Sequence, residues 1–140
     1  MDRMIYQVAV GKQSNLYEHC IKSVANYCKK YNLKHIVQTE PILKIRPDVN
    51  RTGRSKEAVE RLGYLPIFEK ENAFSYLGQF KQIAIVDSDI YIRENAPNIF
   101  DQLTDQYAFG AVAERELPCA KKYKSKIRKY SKSAFEQLTD

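Results

Sequence analysis

The sequence of 140 residues has no tryptophan, only three cysteines and only two histidines. Cys20, Cys28 and Cys119 form neither a Cys-x-x-Cys pair nor the Cys/His spacing of a zinc site. Cys20 and Cys28 are eight residues apart, two turns along one helix face, which is too far for a disulfide. We therefore expect reduced cysteines in the core, and this scarcity excludes a disulfide scaffold.

Long apolar runs are also missing. None approaches the roughly 20 residues that a membrane span requires, and the chain does not open with a charged segment followed by an apolar one. No transmembrane segment is expected, and a soluble, cytoplasmic protein is predicted. Hydrophobic residues make up 44% and charged residues 29%, which excludes a disordered chain, and the length fits a single domain over residues 1–140.

Acidic residues are missing from one stretch, Lys121–Lys132, which holds seven lysines or arginines. Because the net charge is +6, taking away these seven positive charges leaves the rest of the chain at −1. The sequence therefore predicts a near-neutral domain with a basic C-terminal helix at about 120–138. This segment is either a solvated helix face or a surface for RNA or other anions, with Tyr123 and Tyr130 as stacking surfaces. No RNA-binding motif accompanies it, so nucleic acid is not the expected partner.

Apolar strands alternate with helical patterns along the chain. A first strand is predicted at Ile5–Val10, Gly11 ends it, and a helix follows from Ser14 or Asn15 to about Asn32. Further strands are predicted at His35–Thr39, Gln82–Asp87 and Tyr107–Ala113, and further helices at Ser55–Leu62, Leu65–Leu77 and Pro97–Leu103, the last with Asn95 as its cap. This alternation predicts an α/β fold with a mainly parallel sheet flanked by helices.

Two of these helices have a candidate core face. In the first helix the apolar residues that recur at three- and four-residue steps are Leu16, Cys20, Val24, Tyr27 and Tyr31. In the later helix, the residues expected to face the core are Ile67, Phe68, Phe74 and Leu77, with Ala73 and Tyr76 in part.

The stretch IAIVDSDIYI, residues 83–92, places two aspartates at the end of an apolar strand. Ligands of open α/β sheets bind outside the carboxyl ends of the strands, so Asp87 and Asp89 can stand at the rim of the core. Residues two apart on a strand point the same way, and the two carboxylates are therefore predicted to converge. Converging carboxylates repel unless a cation lies between them, and Mg²⁺ or Mn²⁺ combines carboxylates with phosphate oxygens. Alternatively, one aspartate caps a turn and the other faces water.

The longer stretch IAIVDSDIYIRENAPNIF resembles the Asp-x-Asp region of nucleotide-sugar glycosyltransferases with the GT-A fold. Retaining members related to glycogenin also carry an arginine and a lysine nine residues apart, as Arg61 and Lys70 are here, with Asp87 seventeen residues after the lysine. The resemblance reaches to about Glu114. It implies a Rossmann-like GT-A fold and metal-dependent transfer of a sugar from a nucleoside diphosphate, most commonly UDP, to an acceptor that the sequence does not identify.

The resemblance also implies roles for single residues. Asp87 and Asp89 would hold Mn²⁺ or Mg²⁺, and Ser88 would lie against the nucleotide. Lys70 and Arg61 would approach the phosphates or the sugar of the donor. The residues that would border the base and ribose are Val10, Gly11, Lys12 and Tyr17.

Several of these residues have structural alternatives, and no catalytic base or nucleophile is identified. Lys70 can be a solvated charge on a helix, and Arg61 can pair with Glu57 or Glu60. Tyr17 can simply pack on the core, and Gly11 can serve only as a turn.

Two features of the family do not occur in this chain: an Asn-x-Gly strand after the fourth strand, and a later histidine as third metal ligand. The chain is therefore expected to hold the nucleotide-binding half and to lack most of the acceptor half, with a weaker metal site. A phosphohydrolase resembling the haloacid dehalogenase superfamily is an alternative, because its Asp-x-Asp also follows an apolar strand. In that family the motif lies on the first strand and continues to Thr or Val, whereas Ile90 and Tyr91 follow here.

Overall fold

The computed structural model describes residues 2–11, 14–46 and 56–102, together with Gly110 and Ser125. The chain separates into two compact units, Met1–Gln102 and Leu103–Asp140. The predicted fourth strand, the predicted basic helix and Cys119 lie outside the described residues, and so does Lys12. The single domain over residues 1–140 stays a prediction.

Three parallel strands form the described sheet. They are β1 (Arg3–Val8), β2 (Lys34–Gln38) and β3 (Gln82–Ile85), in the order β2-β1-β3. The central position of β1 explains why its residues from Met4 to Gln7 are fully buried, since both of its edges and both of its faces are covered. The small α/β domain with a parallel sheet is thereby confirmed, and it is compatible with a Rossmann-like fold.

Two α-helices are described, α1 (Asn15–Lys30) and α2 (Lys56–Leu62). Ser14 is the N-cap of α1, and its hydroxyl accepts a hydrogen bond of 3.4 Å from the backbone N–H of Tyr17. A short 3₁₀ helix at Ile99–Asp101 is capped by Asn98, whose side chain accepts from the N–H of Phe100. The prediction of Asn95 as this cap was therefore wrong, because the helix begins later than its sequence pattern suggested.

The helix α1 packs on one face of the sheet. Its buried Val24, Tyr27 and Cys28 contact a core that includes Ile5 and Phe100. Leu16 was expected on this face but is 59% exposed, because the buried face of α1 begins one turn later, at Cys20. Cys20 and Cys28 are buried and unpaired, and burial raises the pKa of Cys28 to about 11.

The other face of the sheet is covered by a long 3₁₀ helix, Pro66–Tyr76, where the sequence predicted an ordinary helix. Ile67, Phe74 and Leu77 are exposed, so their prediction as core residues was wrong. A 3₁₀ helix has three residues per turn, so side chains three apart form straight rows along it. One row contains Lys70, Ala73 and Tyr76, of which Ala73 is buried and Tyr76 packs against the core. Lys70 lies in this row between the exposed Ile67 and the buried Ala73.

In the part of the chain that the structure describes, no helix has both the length and the apolar character that crossing a membrane requires.

Candidate functional site

A cavity of about 260 Å³ opens at the carboxyl ends of β1 and β3. Its walls come from the end of β1, the start of α1, the long 3₁₀ helix and the turn after β3. The chain passes from β1 through α1 to β2 on one side, whereas β3 lies on the other side of β1. The cavity therefore occupies the point where the strand order reverses, which is where open α/β sheets bind their ligands.

Six of the predicted site residues line this cavity: Val10, Tyr17, Lys70, Asp87, Ser88 and Asp89. Gly11 directly follows Val10 with a φ of 93°, a backbone conformation that favours glycine, but it is not part of the lining. Arg61 is exposed on α2 and does not line the cavity, while its neighbour Glu60 pairs with Lys56 at 3.9 Å. Lys12 lies outside the described residues.

The two aspartates lie on a turn and not on a strand. The strand β3 ends at Ile85, and the N–H of Ile90 donates a hydrogen bond of 3.1 Å to the carbonyl of Asp87. The alternation of a strand therefore does not apply to them, and that argument for their convergence was wrong. Both nevertheless line the same cavity, because the chain curls back on itself directly after the strand.

Gln7 fixes this turn from the middle of β1. Its side-chain amide is fully buried and donates a hydrogen bond of 3.1 Å to the carbonyl of Asp87. Its oxygen lies 2.9 Å from Nε2 of His35, which must then carry the proton of the imidazole. Burial lowers the pKa of His35 and so favours the neutral ring, with its proton on Nε2. The nitrogen of the Gln7 amide thus holds Asp87, and the oxygen of the amide is held by His35.

The carboxylate of Asp87 forms an ion pair with the ammonium of Lys70. The side chains are 53% and 33% exposed respectively, so this pair stands at the border between protein and solvent. Asp89 is exposed beside them, and no ion pair of Asp89 with a described residue is found. Among the described residues, the cavity therefore gathers two carboxylates and one ammonium group, and no other described side chain pairs with the carboxylates.

Glu69, the residue before Lys70, is fully buried and holds the 3₁₀ helix in position. Its carboxylate accepts hydrogen bonds from the backbone N–H groups of Ile42, Leu43 and Lys44 at 2.7, 3.1 and 2.7 Å, and from Nε2 of Gln38 at 2.7 Å. Burial alone would raise its pKa, but these four donors outweigh burial and lower the pKa. Glu69 is thus a structural anion that fixes the backbone from which Lys70 projects.

The segment after the aspartates is held by α1. The N–H of Ile92 donates to the hydroxyl of Ser23 at 2.9 Å, and the hydroxyl of Tyr31 donates to the carbonyl of Ala96 at 2.7 Å. The hydroxyl of Tyr27 accepts from the N–H of Ile99 at 2.7 Å and lies 2.8 Å from the carbonyl of Pro97. The turn is therefore anchored on both sides, by β1 before it and by α1 after it.

Comparisons of the chain with protein-family models, with curated proteins and with solved structures found no match. The chemistry of the cavity is therefore argued from its own residues.

A divalent cation fits the donors that the cavity provides. No group of three or more histidine, cysteine or acidic side chains able to hold a metal exists among the described residues. Within the described residues, a metal at this cavity would therefore draw on two carboxylates. Mg²⁺ characteristically uses only one or two carboxylates and takes its remaining ligands from water and substrate phosphates. Asp87 and Asp89 supply that number and type of oxygen at the mouth of one cavity.

Sequence reasoning missed Gln7 and Glu69. Gln7 had a detectable signal, since it is the one amide side chain inside the otherwise apolar run IYQVAV. Glu69 had none, because its partners lie 25 to 31 residues away along the chain.

Proposed function

We propose that this chain binds a nucleoside diphosphate sugar through a divalent cation and acts as a GT-A-type glycosyltransferase, or as its donor-binding half. The observation that carries the proposal is the meeting of Asp87, Asp89 and Lys70 in one cavity at the carboxyl edge of a parallel sheet. Two carboxylates suit the cation, and the ammonium group of Lys70 suits a phosphate.

The size of the cavity supports binding of the diphosphate end of the ligand. A volume of about 260 Å³ lies just below the range of about 300–1,000 Å³ that holds complete small ligands. A diphosphate with its cation would occupy the cavity, and the base and sugar would extend beyond it. Tyr17 and Val10 line the same cavity, and they would offer apolar surface to the ribose of a bound nucleotide.

Bound Mn²⁺ or Mg²⁺ would supply Lewis acidity that neutralises charge on the departing nucleoside diphosphate. Lys70 would add a positive charge close to the same phosphates, which stabilises the negative charge that develops there. Gln7 and Glu69 would hold Asp87 and Lys70 in position through their buried hydrogen bonds.

The first test measures thermal stabilisation of the whole chain by UDP and GDP, with Mn²⁺ or with a chelator. Because a ligand at 100 times its Kd adds about 2.7 kcal/mol of stability, the Tm of the wild type should rise by about 5 °C or more with UDP or GDP and Mn²⁺. Chelation should abolish the rise. The substitution Asp89→Asn should weaken binding at least about tenfold, because it removes one of the two anionic ligands.

The matched control is Asp2→Asn. Asp2 is also an exposed aspartate beside a lysine, with Oδ2 3.1 Å from Nζ of Lys81, but it precedes β1 at the opposite end of the strands. This variant should respond to nucleotide and metal as the wild type does. If no nucleoside diphosphate stabilises the wild type in the presence of Mn²⁺ or Mg²⁺, the proposed function is wrong.

A further inference from the structure

The ion pair between Lys70 and Asp87 occupies part of the position that a cation would need. Lys70 Nζ contacts Oδ1 of Asp87, and both side chains line the cavity that also contains Asp89. A divalent cation bound to Asp87 would lie within a few ångströms of the Lys70 ammonium group. Like charges at such a distance repel, most strongly where solvent screening is incomplete.

We propose that Lys70 and the divalent cation compete for Asp87, so that metal binding releases Lys70 to the phosphates of the nucleotide. This inference rests on the proposed function, and it adds a means by which the site is regulated. Lys70 acts as an internal counterion that weakens binding of the metal alone. The same side chain then favours binding of the metal together with a diphosphate.

The surroundings of the pair confine the rearrangement to the Lys70 side chain. The four hydrogen bonds to Glu69 and the burial of Ala73 hold the backbone of the 3₁₀ helix on both sides of Lys70. The hydrogen bond from Gln7 holds the turn that carries Asp87. The Lys70 side chain is only half-buried, and its four-carbon stem allows the ammonium group to move while the backbone stays fixed.

The competition predicts opposite effects of one substitution on two ligands. Lys70→Met removes the counterion of Asp87, so Mn²⁺ alone should bind about two- to fivefold tighter, the range expected for loss of a partly exposed ion pair. The same variant lacks the positive charge that meets the phosphates. UDP at saturating Mn²⁺ should therefore bind about tenfold weaker. If the role of Lys70 were purely structural, replacing it would not increase the affinity for either ligand.

Isothermal titration calorimetry on the whole chain measures both affinities, first with Mn²⁺ alone and then with UDP at saturating Mn²⁺. Lys81→Met is the control, because it also removes a lysine that pairs with an aspartate, at the opposite end of the strands. It should change neither affinity. If Lys70→Met does not fold, Lys70→Gln keeps a polar end at this position and carries the same expectation.

The possible results separate this inference from the proposed function. Tighter Mn²⁺ binding together with weaker UDP binding supports the competition. Unchanged or weaker Mn²⁺ binding by the Lys70 variants, with normal binding by the wild type, overturns the competition alone. A wild type that binds neither UDP nor GDP in the presence of Mn²⁺ overturns the proposed function and this inference together.

Discussion

Glu69 and the pair Asp87 and Asp89 are carboxylates on two sides of Lys70, and their surroundings are opposite. Glu69 has no exposed surface, and four N–H groups satisfy its oxygens. Asp87 is 53% exposed, and its carboxylate contacts the ammonium group of Lys70. A fully satisfied anion has nothing left to offer a ligand, whereas among the described residues only Lys70 pairs with the carboxylates at the cavity. Burial therefore makes Glu69 part of the structural framework, and exposure leaves the carboxylates of the two aspartates accessible to a ligand.

The largest expected effect is on stability, from Glu69→Gln. The amide cannot accept from all four donors and has no charge, so one or more buried N–H groups lose their acceptor. The free energy of unfolding should fall by about 3 kcal/mol, measured by urea denaturation at neutral pH. Glu71→Gln is the matched control, because Glu71 is exposed two residues along the same helix, and it should have almost no effect.

The same variant should change how stability depends on pH. The pKa of Glu69 in the folded state lies below its ordinary value of 4.5. Its contribution to stability is therefore complete above pH 4.5 and is lost as the pH falls through the folded-state pKa. Between about pH 7 and pH 3 the wild type should lose more stability than Glu69→Gln. Equal losses would show that Glu69 is not the buried anion described here.

Gln7→Leu, with the next largest effect, tests the connection between the framework and the cavity. The substitution removes the hydrogen-bond partner of the Asp87 carbonyl and of His35 Nε2, and both of these contacts are partly buried. The free energy of unfolding should fall by about 2 kcal/mol. UDP with Mn²⁺ should also bind more weakly, because the aspartate turn loses one of its two anchors.

Gln79→Leu makes the same replacement at an exposed glutamine and serves as the control. It should alter stability by no more than about 0.5 kcal/mol and leave UDP binding unchanged. If Gln7→Leu lowers stability but keeps full affinity for UDP, Gln7 stabilises only the fold and does not contribute to nucleotide binding.

The features that could be predicted from the sequence depend on local signals, and those that could not depend on contacts between distant segments. The three described strands and α1 were predictable because their signals are local: apolar β-rich runs, helical spacing and a capping serine. The position of Asp87 and Asp89 after an apolar strand was also predictable from the motif, but the turn that carries them was not. The 3₁₀ form of Pro66–Tyr76 was not, since its apolar residues Ile67 and Phe74 also fit an α-helix that faces the core. The four partners of Glu69 depend on how two distant segments meet, and no spacing in the sequence encodes that meeting. Lys70 was predicted through a family pattern, and its pairing with Asp87 needed the structure.

The smallest effect is expected from Asp101→Asn, which asks whether an exposed aspartate with a cationic partner is enough to mark a functional site. Asp101 Oδ1 lies 3.4 Å from Nη1 of Arg3, and both side chains are somewhat more exposed than those of the pair at the cavity. Arg3 also lies over the ring of Phe100 at 5.7 Å, and the asparagine oxygen can still accept from Asn98, so little packing depends on the charge. The free energy of unfolding should therefore fall by less than about 0.5 kcal/mol in urea denaturation, and UDP binding with Mn²⁺ should not change.

A loss of UDP binding as large as that of Asp89→Asn would mean that the nucleotide responds to general surface charge and not to the cavity. An unchanged affinity would instead leave the second carboxylate and the carboxyl edge of the sheet as the features that separate Asp87 from Asp101.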